Sequence, residues 1–367
     1  MDINILFFEL LQVAIGNRKE LSVIPSENEW HNLYDTANKQ ALLGICFCGC
    51  QKLTKEQWPP KALVLKWNGV SEQIRKTNIK LNRQCLTIQN YIRKAGFETC
   101  ILKGQGNALM YDSPDYRNSG DIDIWLYKDG ASTVEENRRA VIDFAKSKLS
   151  KIEARIHHVD FLSIEDTNVE VHYLPMYFYN FIFQRRFEKF CMDNVKEQCE
   201  NCVDGLYVPK ADFNAVYQLV HILRHLFEEG IGLRQLMDYY YVLKTLHDKM
   251  PNSKDAVMAE INHLGMGRFT ASIMYVMEKV FGMAKEYMLC EPNEKSGSIL
   301  LNEIMMAGNF GKRDERIGKW ENKSIFAMFI WKFFFNLRLW RICPSEIAFG
   351  PAFRIWHYTW RKRNGFV

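Results

Sequence analysis

The chain has 367 residues, of which 47% are hydrophobic and 25% charged, and its formal net charge is +5. This length and composition predict a folded protein with a sizeable core, organised as two domains or as one domain with large additions. So small a basic excess does not indicate a nucleic-acid partner, and the ten cysteines show no regular spacing that would indicate a disulfide-rich secreted fold. We therefore expect reduced cysteines and a cytoplasmic protein.

The N-terminal stretch MDINILFFELLQVAIGN does not have the features of a secretory signal. It starts with an acidic residue and has neither a cationic region nor a small-residue cleavage site. The chain also contains no run of about 18 uncharged apolar residues, the length that a membrane-spanning helix needs. We expect no transmembrane segment.

Residues 1–95 have the pattern of helices. Four apolar residues recur at spacings of four, three and four, which places them on one helical face: Leu81, Cys85, Ile88 and Ile92. The pair Ala95-Gly96 is typical of a helix end.

After residue 96 the period of the pattern changes. FETCIL (97–102) predicts a short strand, and KGQGNALMY after it predicts a glycine turn that leads into an apolar helix. GDIDIWLY (120–127) alternates with period two and predicts a second strand. STVEENRRAVIDFAKSKL (132–149) predicts a helix, with a capping box between Ser132 and Glu135.

Two further strand-like runs follow, RIHHVDFLSI (155–164) and VEVHYLP (169–175), and EDTN between them predicts a hairpin. From about residue 210 the pattern is helical again, with two apolar helices that break near Gly230 and Gly232. We predict an α+β fold with a small mixed sheet flanked by helices. The predicted division is an N-terminal helical region (1–70), a core (71–204) and a helical C-terminal domain with a basic aromatic tail (205–367).

The strand carrying DIDI places two carboxylates on one face. Asp121 and Asp123 share that face because side chains at i and i+2 of a strand point the same way, and Glu170 and His172 do the same in VEVH. If the two strands are neighbours, three carboxylates converge. Their mutual repulsion favours a divalent cation that prefers oxygen ligands, Mg²⁺ or Mn²⁺.

Such a cluster suits phosphoryl transfer, in which metal ions bridge triphosphate oxygens and stabilise a leaving pyrophosphate. LKGQGNAL supplies a possible phosphate cradle. Gly104 and Gly106 would let the backbone approach the phosphates, and the first N–H groups of the next helix would face them. Lys103 and Arg117 are cations within reach of this turn.

The segment LKGQGNALMYDSPDYRNSGDIDIWL (102–126) resembles the nucleotidyltransferase fold of the polymerase-β superfamily. More narrowly, it resembles the uncharacterised bacterial nucleotidyltransferase family with a Leu-Lys-Gly…Arg-x-x-Gly-Asp-Ile-Asp pattern, and GIGLRQLMDYYYVL (230–243) is similar to the helical half of that family. The resemblance implies that Asp121, Asp123 and Glu170 are the catalytic metal ligands. It also implies six nucleotide-binding residues: Lys103, Gly104, Gln105, Arg117, Ser119 and Gly120.

The resemblance implies a metal-dependent enzyme that transfers NMP, in particular AMP, from an NTP to an unknown hydroxyl acceptor and releases pyrophosphate. The acceptor can be a small molecule, a sugar, a protein or an RNA end. Gln105 stands where the superfamily usually has Gly or Ser, and the third carboxylate, Glu170, is a glutamate. These two departures motivate the alternative of an inactive module that binds a nucleotide or a partner.

Several other residues have two interpretations. His172 is either a substrate ligand or a hydrogen-bonded structural histidine. His221 and His225, at i and i+4, lack the glutamate of a metalloprotease motif, so we expect them to pack against the first domain rather than bind metal. Cys199 and Cys202 form a CxxC pair, but a zinc site would need two more ligands.

Charged residues in the helical half are similarly open. Arg234 and Asp238 have the i,i+4 spacing of a helix ion pair, and the alternative is a contact across the active cleft. The tail from 323 to 367 has eight Lys/Arg and one Glu among its aromatic residues. We favour a helical pair with its aromatic side chains packed on the body and its arginines in water, and keep a contact with an acidic lipid or nucleic-acid surface as the alternative.

Overall fold

The computed structural model describes residues 3–193, 195–202, 205–311, 314, 316 and 325–366. Its elements confirm the predicted α+β class, with a small mixed sheet between two helical regions. The chain starts with four helices: Ile3–Ala14 (α1), Glu27–Lys39 (α2), Leu43–Lys52 (α3) and Lys61–Lys94 (α4). A capping box starts α2, in which the Ser26 side chain accepts a hydrogen bond from the Glu29 N–H and the Glu29 carboxylate accepts one from the Ser26 N–H.

The long helix α4 bears out the predicted apolar face, since all four of its periodic residues are at most 3% exposed. The helix ends at Lys94, and Gly96 follows with a φ of +83°, a left-handed conformation that favours glycine. The predicted boundary between residues 70 and 71 falls inside α4, and residue 204 lies outside the described residues. The division of the chain into three regions stays a prediction.

Four strands form the central sheet: Phe97–Leu102 (β1), Ile122–Lys128 (β2), His158–Asp160 (β3) and Val169–His172 (β4). Their order is β1-β2-β4-β3, with β1 antiparallel to β2, β2 parallel to β4 and β3 antiparallel to β4. The predicted hairpin of the third and fourth strands is confirmed, although the regular pairing covers fewer residues than expected. Three helices flank the sheet: Gly104–Ala108 (α5), Val134–Lys146 (α6) and Phe181–Met192 (α7).

Two local predictions in this region need correction. The cap of α6 is shifted by one residue, because Thr133 accepts the hydrogen bond from the Glu136 N–H and the Glu136 carboxylate accepts one from the Ser132 N–H. A second hairpin, Cys199–Asn201 (β5) with Tyr207–Pro209 (β6), has no counterpart in the sequence prediction. The ten cysteines form no disulfide bond with one another, and the CxxC pair at this hairpin belongs to none of the possible metal-binding groups among the described residues.

The second half of the chain is helical, as predicted, and contains seven α-helices in its described part: Ala211–Glu228 (α8), Leu233–Lys249 (α9), Lys254–His263 (α10), Gly267–Phe281 (α11), Glu294–Ala307 (α12), Ile325–Asn336 (α13) and Pro344–Arg363 (α14). The break between α8 and α9 falls where Gly230 and Gly232 predict it. No helix of the described chain combines the length and the apolar character needed to cross a bilayer.

The tail forms the predicted helical pair, α13 and α14; residues 323, 324 and 367 of it lie outside the described residues. Phe353 is buried and stacks on Tyr177. The prediction that the tail arginines face water is wrong for Arg354, whose side chain is 12% exposed and forms an ion pair with Glu228 on α8. The tail therefore packs on the body through charged as well as aromatic side chains.

Candidate active site

The two central strands bring Asp123 and Glu170 face to face. In the parallel register of β2 and β4, Asp123 lies directly opposite Glu170, which meets the condition that the two motif-bearing strands be neighbours. Asp123 is 2% exposed and Glu170 is half-buried. The alternate residues of both strands are buried on the other face of the sheet: Ile122, Ile124, Val169 and Val171. The period-two pattern thus separates an apolar face from a polar one.

Asp121 lies one residue before β2, at the edge of this centre. It is exposed and lines the same cavity as Lys103 and Glu170. Among the described residues, one of the groups whose ligand atoms all lie within 4.8 Å of one another consists of Asp123, Glu170 and His172, and no such group includes Asp121. The metal-binding role of Asp121 stays a prediction.

Lys103 supplies the positive charge nearest to these carboxylates. It precedes α5 with a φ of +36°, and its Nζ lies 3.0 Å from Asp123 Oδ1. Burial lowers the pKa of Lys103, but the negative charges of Asp123, Asp121 and Glu170 outweigh it and raise this pKa above its ordinary value. The three predicted carboxylates therefore act together on one ammonium group.

The glycine turn differs in detail from a phosphate cradle. Gly104 has a φ of +43°, and a Cβ at this position would be 3.7 Å from the Asp121 carbonyl oxygen. Gly106 instead packs on β1, because its Cβ would be 2.6 Å from the Ile101 carbonyl oxygen. This close packing, rather than an approach to phosphates, is what requires glycine at position 106.

The other predicted nucleotide-binding residues are spread around this turn. Gln105 is buried, and its Nε2 donates to Asn82 Oδ1 on α4 at 2.6 Å. Ser119 is half-buried and Gly120 exposed in the loop that leads into β2, and a Cβ at Gly120 would meet open space. Gly120 is therefore not required for a tight turn. The nucleotide contacts of these three residues stay predictions.

Arg117 is engaged elsewhere in the structure. Its Nε and Nη2 donate to the two carboxylate oxygens of Asp238 on α9 at 2.7 and 2.6 Å, and both residues are buried. Tyr111 donates to the same carboxylate at 2.6 Å. The ion pair occupies two nitrogens of the Arg117 guanidinium, and the phosphate contact expected of Arg117 stays a prediction. The helix pair predicted for Arg234 and Asp238 is wrong, because Arg234 donates to the Asn118 carbonyl oxygen instead.

A group of histidines completes the centre. His172 Nε2 lies 3.0 Å from Asp123 Oδ1 and 3.5 Å from Glu170 Oε2, so His172 belongs to the carboxylate cluster. His158 Nδ1 lies 3.7 Å from Glu170 Oε2 and 3.0 Å from His157 Nε2. Sequence reasoning missed His157 and His158. The available signal was the His-His pair in a strand predicted to form a hairpin with the strand of His172.

These contacts shift the pKa values of the group in different directions. Burial lowers the pKa of His157, and it lowers that of His158 to about 4. Burial opposes protonation of His172 as well, but its hydrogen bonds with Asp123 and Glu170 raise its pKa above the usual value. For Glu170, burial raises the pKa, but the hydrogen bond from His172 and the charges of His158 and Lys103 lower it to about 2.

The opposite wall comes from α8 and from the tail helix α14. Together with the sheet residues they enclose a cavity of about 620 Å³, within the usual size range of ligand pockets. Besides Lys103, cations from four segments line it, namely the loop before β3, α8, α13 and α14: Arg155, Arg224, Lys332, Arg354 and Arg361. His225 also lines it. Burial lowers the pKa of His221, and the charges of His225, Lys103 and His172 lower this pKa further. His225 therefore lines the same cavity as the sheet residues, and the packing of the two helix histidines against the first domain stays a prediction.

The model of a protein family described as uncharacterised nucleotidyltransferases matches residues 26–282, which is more than half of the chain. The chain belongs to this nucleotidyltransferase family. The match begins at the cap of α2 and ends just after α11, so it contains the sheet, the carboxylates and α8. The last three helices of the chain, including the wall that α14 contributes, lie beyond it.

The chain is also similar to a solved structure described as an antigenic nucleotidyltransferase-like protein from Paracoccidioides brasiliensis. The two share 12% sequence identity over 51% of this chain and 93% of that one, with a TM-score of 0.25. No curated protein matches this chain. The assignment to the family therefore rests on the family model.

Proposed function

We propose that this protein transfers a nucleoside monophosphate, AMP, from an NTP to a hydroxyl acceptor and releases pyrophosphate. The supporting observation is the pair of facing carboxylates, Asp123 and Glu170, with Lys103 Nζ 3.0 Å from Asp123 at the floor of a cavity large enough for a nucleotide. Family membership supports the reaction class. The narrower bacterial subfamily, a cytoplasmic location and a contact of the tail with an acidic surface are further proposals.

The donor set fits a divalent cation. Asp123 and Glu170 offer adjacent carboxylate oxygens on rigid strands, and in the structure the Lys103 ammonium provides their positive counter-charge. We assign Asp121, Asp123 and Glu170 to hold Mg²⁺ or Mn²⁺. Such an ion, when bound, would neutralise triphosphate oxygens and the developing charge of the leaving pyrophosphate. Because the pKa of Glu170 is lowered to about 2, we assign it a ligand role rather than that of a general base.

The cations on the far wall are candidates for binding the anionic groups of the substrates. Arg117 is ion-paired with Asp238, so Lys103 is the one of the two predicted phosphate-binding cations that remains beside the carboxylates. Arg155, which is exposed, and Arg361, whose Nε is buried without a hydrogen-bond partner, line the same cavity. We assign these two arginines to the phosphates or to an anionic acceptor. The helices from residue 205 onward would close the cleft and select the acceptor.

The second candidate is a module that binds a nucleotide or a partner without turnover. Two observations favour it. The Arg117 guanidinium is held by Asp238, and the Gln105 side chain is bonded to Asn82, so two positions of the predicted nucleotide site are committed to internal contacts.

The test uses the full-length protein with each α-labelled NTP, Mg²⁺ or Mn²⁺, and panels of sugar, small-molecule, peptide and RNA hydroxyl acceptors. We expect pyrophosphate release that Asp123→Asn reduces by at least about a hundredfold, because the variant removes a carboxylate from the centre of the site. Asp143→Asn, an exposed aspartate on α6, is the matched control. Unchanged turnover in Asp123→Asn would refute the site. Tight binding of a non-hydrolysable ATP analogue, together with no pyrophosphate release from any of the labelled NTPs, would favour the second candidate.

A further inference from the structure

The centre offers imidazole nitrogens as well as carboxylate oxygens. Three overlapping groups of possible ligands, each with all its ligand atoms within 4.8 Å, occur in the described chain. They are Asp123/Glu170/His172, His157/His158/His172 and His158/Asp160/Glu170. Each contains at least one histidine, and two of them share Glu170. The best-defined part of the centre is therefore a mixed nitrogen and oxygen site.

Four donor atoms from β3, β4 and β2 follow one another in a row on the polar face of the sheet. The distance is 3.7 Å from His158 Nδ1 to Glu170 Oε2, 3.5 Å from Glu170 Oε2 to His172 Nε2, and 3.0 Å from His172 Nε2 to Asp123 Oδ1. Ligands at about 2.0–2.1 Å from a tetrahedral ion are separated by about 3.4 Å, and the neighbouring donors lie on both sides of this value. The ends of the row, His158 and Asp123, share no ligand group of the described chain, so one of them must rotate toward the middle of the row to complete the set.

The hydrogen bonding of the histidines decides which nitrogens can reach an ion. His172 Nδ1 is buried without a hydrogen-bond partner, whereas His172 Nε2 faces Asp123 and Glu170 and is the nitrogen of the row. His158 Nδ1 and His157 Nε2 face each other at 3.0 Å, where they can share only one proton. An ion at the row would therefore take the place of this hydrogen bond at His158 Nδ1.

We propose that His158 and His172, together with Glu170 and Asp123, bind a divalent first-row transition-metal ion in preference to Mg²⁺. Imidazole is a good ligand for these metals, whereas Mg²⁺ requires near-octahedral oxygen coordination and keeps several waters. The inference rests on the proposed function for the role of the two carboxylates. It narrows the choice of Mg²⁺ or Mn²⁺ to the first-row transition metals, to which Mn²⁺ belongs. It also gives the neighbouring histidines a function that the carboxylate motif does not contain.

Lys103 gives the proposal a second consequence. Its ammonium lies 3.0 Å from Asp123 Oδ1, one of the four donors, so it must move away from that oxygen or repel the incoming ion. The variant Lys103→Met removes this positive charge and should strengthen metal binding. Loss of any ordinary structural side chain would weaken binding or leave it unchanged, so an increase is specific to this competition.

The experiment titrates the metal-free, full-length protein with Co²⁺ and, separately, Mg²⁺, without nucleotide, by calorimetry and by visible absorption of Co²⁺. We expect one Co²⁺ to bind about a hundredfold more tightly than Mg²⁺, with the absorption of a nitrogen-ligated site of low coordination number. His158→Ala should weaken Co²⁺ binding at least about tenfold. Lys103→Met should strengthen it at least about tenfold, since an adjacent unit charge is removed.

Exposed residues of the same types serve as controls, and His31→Ala and Lys94→Met should leave binding unchanged. His172→Gln should also weaken binding; if it does not fold, the less buried His158 decides the result. Equal affinities for Mg²⁺ and Co²⁺, an all-oxygen Co²⁺ spectrum, or unchanged binding in His158→Ala would overturn the inference. If Co²⁺ binding weakens in His158→Ala but the protein releases no pyrophosphate, only the proposed reaction is refuted. If Mg²⁺ supports turnover and His158→Ala leaves that turnover unchanged, only this inference is refuted.

Discussion

Arg117 connects the loop before β2 to α9 through a buried, two-point ion pair with Asp238. The two residues are 4% and 3% exposed, and Tyr111 adds a third hydrogen bond to the carboxylate. Burial lowers the pKa of the Arg117 guanidinium, but the charge of Asp238 outweighs it and raises this pKa. At the scale of single residues, an arginine of the sequence motif thus joins the sheet to the helical half instead of meeting solvent.

We predict that Asp238→Asn destabilises the protein by about 3–5 kcal/mol, because it leaves the Arg117 charge buried and uncompensated. The measurement is urea unfolding followed by circular dichroism. The matched control is Glu98→Gln, which removes the partner of Arg93 in an exposed ion pair and should cost no more than about 1 kcal/mol. Similar losses in the free energy of unfolding of the two variants would mean that the buried ion pair is no more important for stability than the exposed one.

At the scale of elements, the packing of α5 against β1 places Lys103 at the floor of the cavity. The helix has only five residues, so it has little stability of its own. Its position depends on the close approach of Gly106 to the Ile101 carbonyl oxygen. The glycines of the LKGQGN motif therefore have separate roles: Gly104 adopts a positive φ, and Gly106 permits contact between backbone segments.

We predict opposite effects of two glycine-to-alanine changes. Gly106→Ala should destabilise the protein by about 1–3 kcal/mol, because the new methyl group has no room beside β1. Gly69→Ala, at an exposed position inside α4 with nothing within 4 Å of the added Cβ, should stabilise it by about 0.5–1 kcal/mol. Both are measured as changes in the free energy of unfolding. A neutral Gly106→Ala would show that the turn tolerates displacement.

At the scale of the whole molecule, residues from distant segments assemble the cavity. The tail helices attach to α8 around Glu228, whose carboxylate contacts Lys332 Nζ at 3.0 Å and Arg354 Nη1 at 3.5 Å and accepts a hydrogen bond from Tyr179. Burial raises the pKa of Glu228, but the charges of Arg354, Lys332 and Arg224 outweigh it and lower this pKa well below its usual value. A single carboxylate thus joins both tail helices to the family domain.

This arrangement predicts how attachment of the tail depends on pH. A carboxylate with a lowered pKa in the folded state stabilises that state above its unfolded pKa of about 4.3, and the stabilisation decreases as pH falls below about 5. Glu228→Gln lacks this contribution. We therefore expect the decrease in melting temperature from pH 7 to pH 4 to be about 1 °C smaller in the variant than in the wild type.

Glu27→Gln, an exposed glutamate at the start of α2, is the control and should follow the wild type. If Glu228→Gln shows the full wild-type dependence on pH, the tail is not held through this carboxylate. Limited proteolysis at the two pH values locates the change, because weaker attachment should increase cleavage in α13 and α14 before cleavage in the sheet.

The sequence by itself determined the elements that depend on local pattern. The bounds of β1 and the end of α4 follow from periodicity and turn residues, and the spacing of the LKG and DID motifs indicated the nucleotidyltransferase family. The pairing of Asp123 with Glu170 was predicted only on condition that their strands be neighbours, and the sheet met that condition.

Only the tertiary structure decided which groups surround these carboxylates. Arg117 and Asp238 are 121 positions apart, and such a distant partner has no signature in local spacing. The same is true of His158, which joins Glu170 through the register of a hairpin, and of Arg354, which approaches the cavity on a helix beyond the family match. Local physics thus determined which residues share a face, while long-range packing determined which charges and imidazoles that face meets.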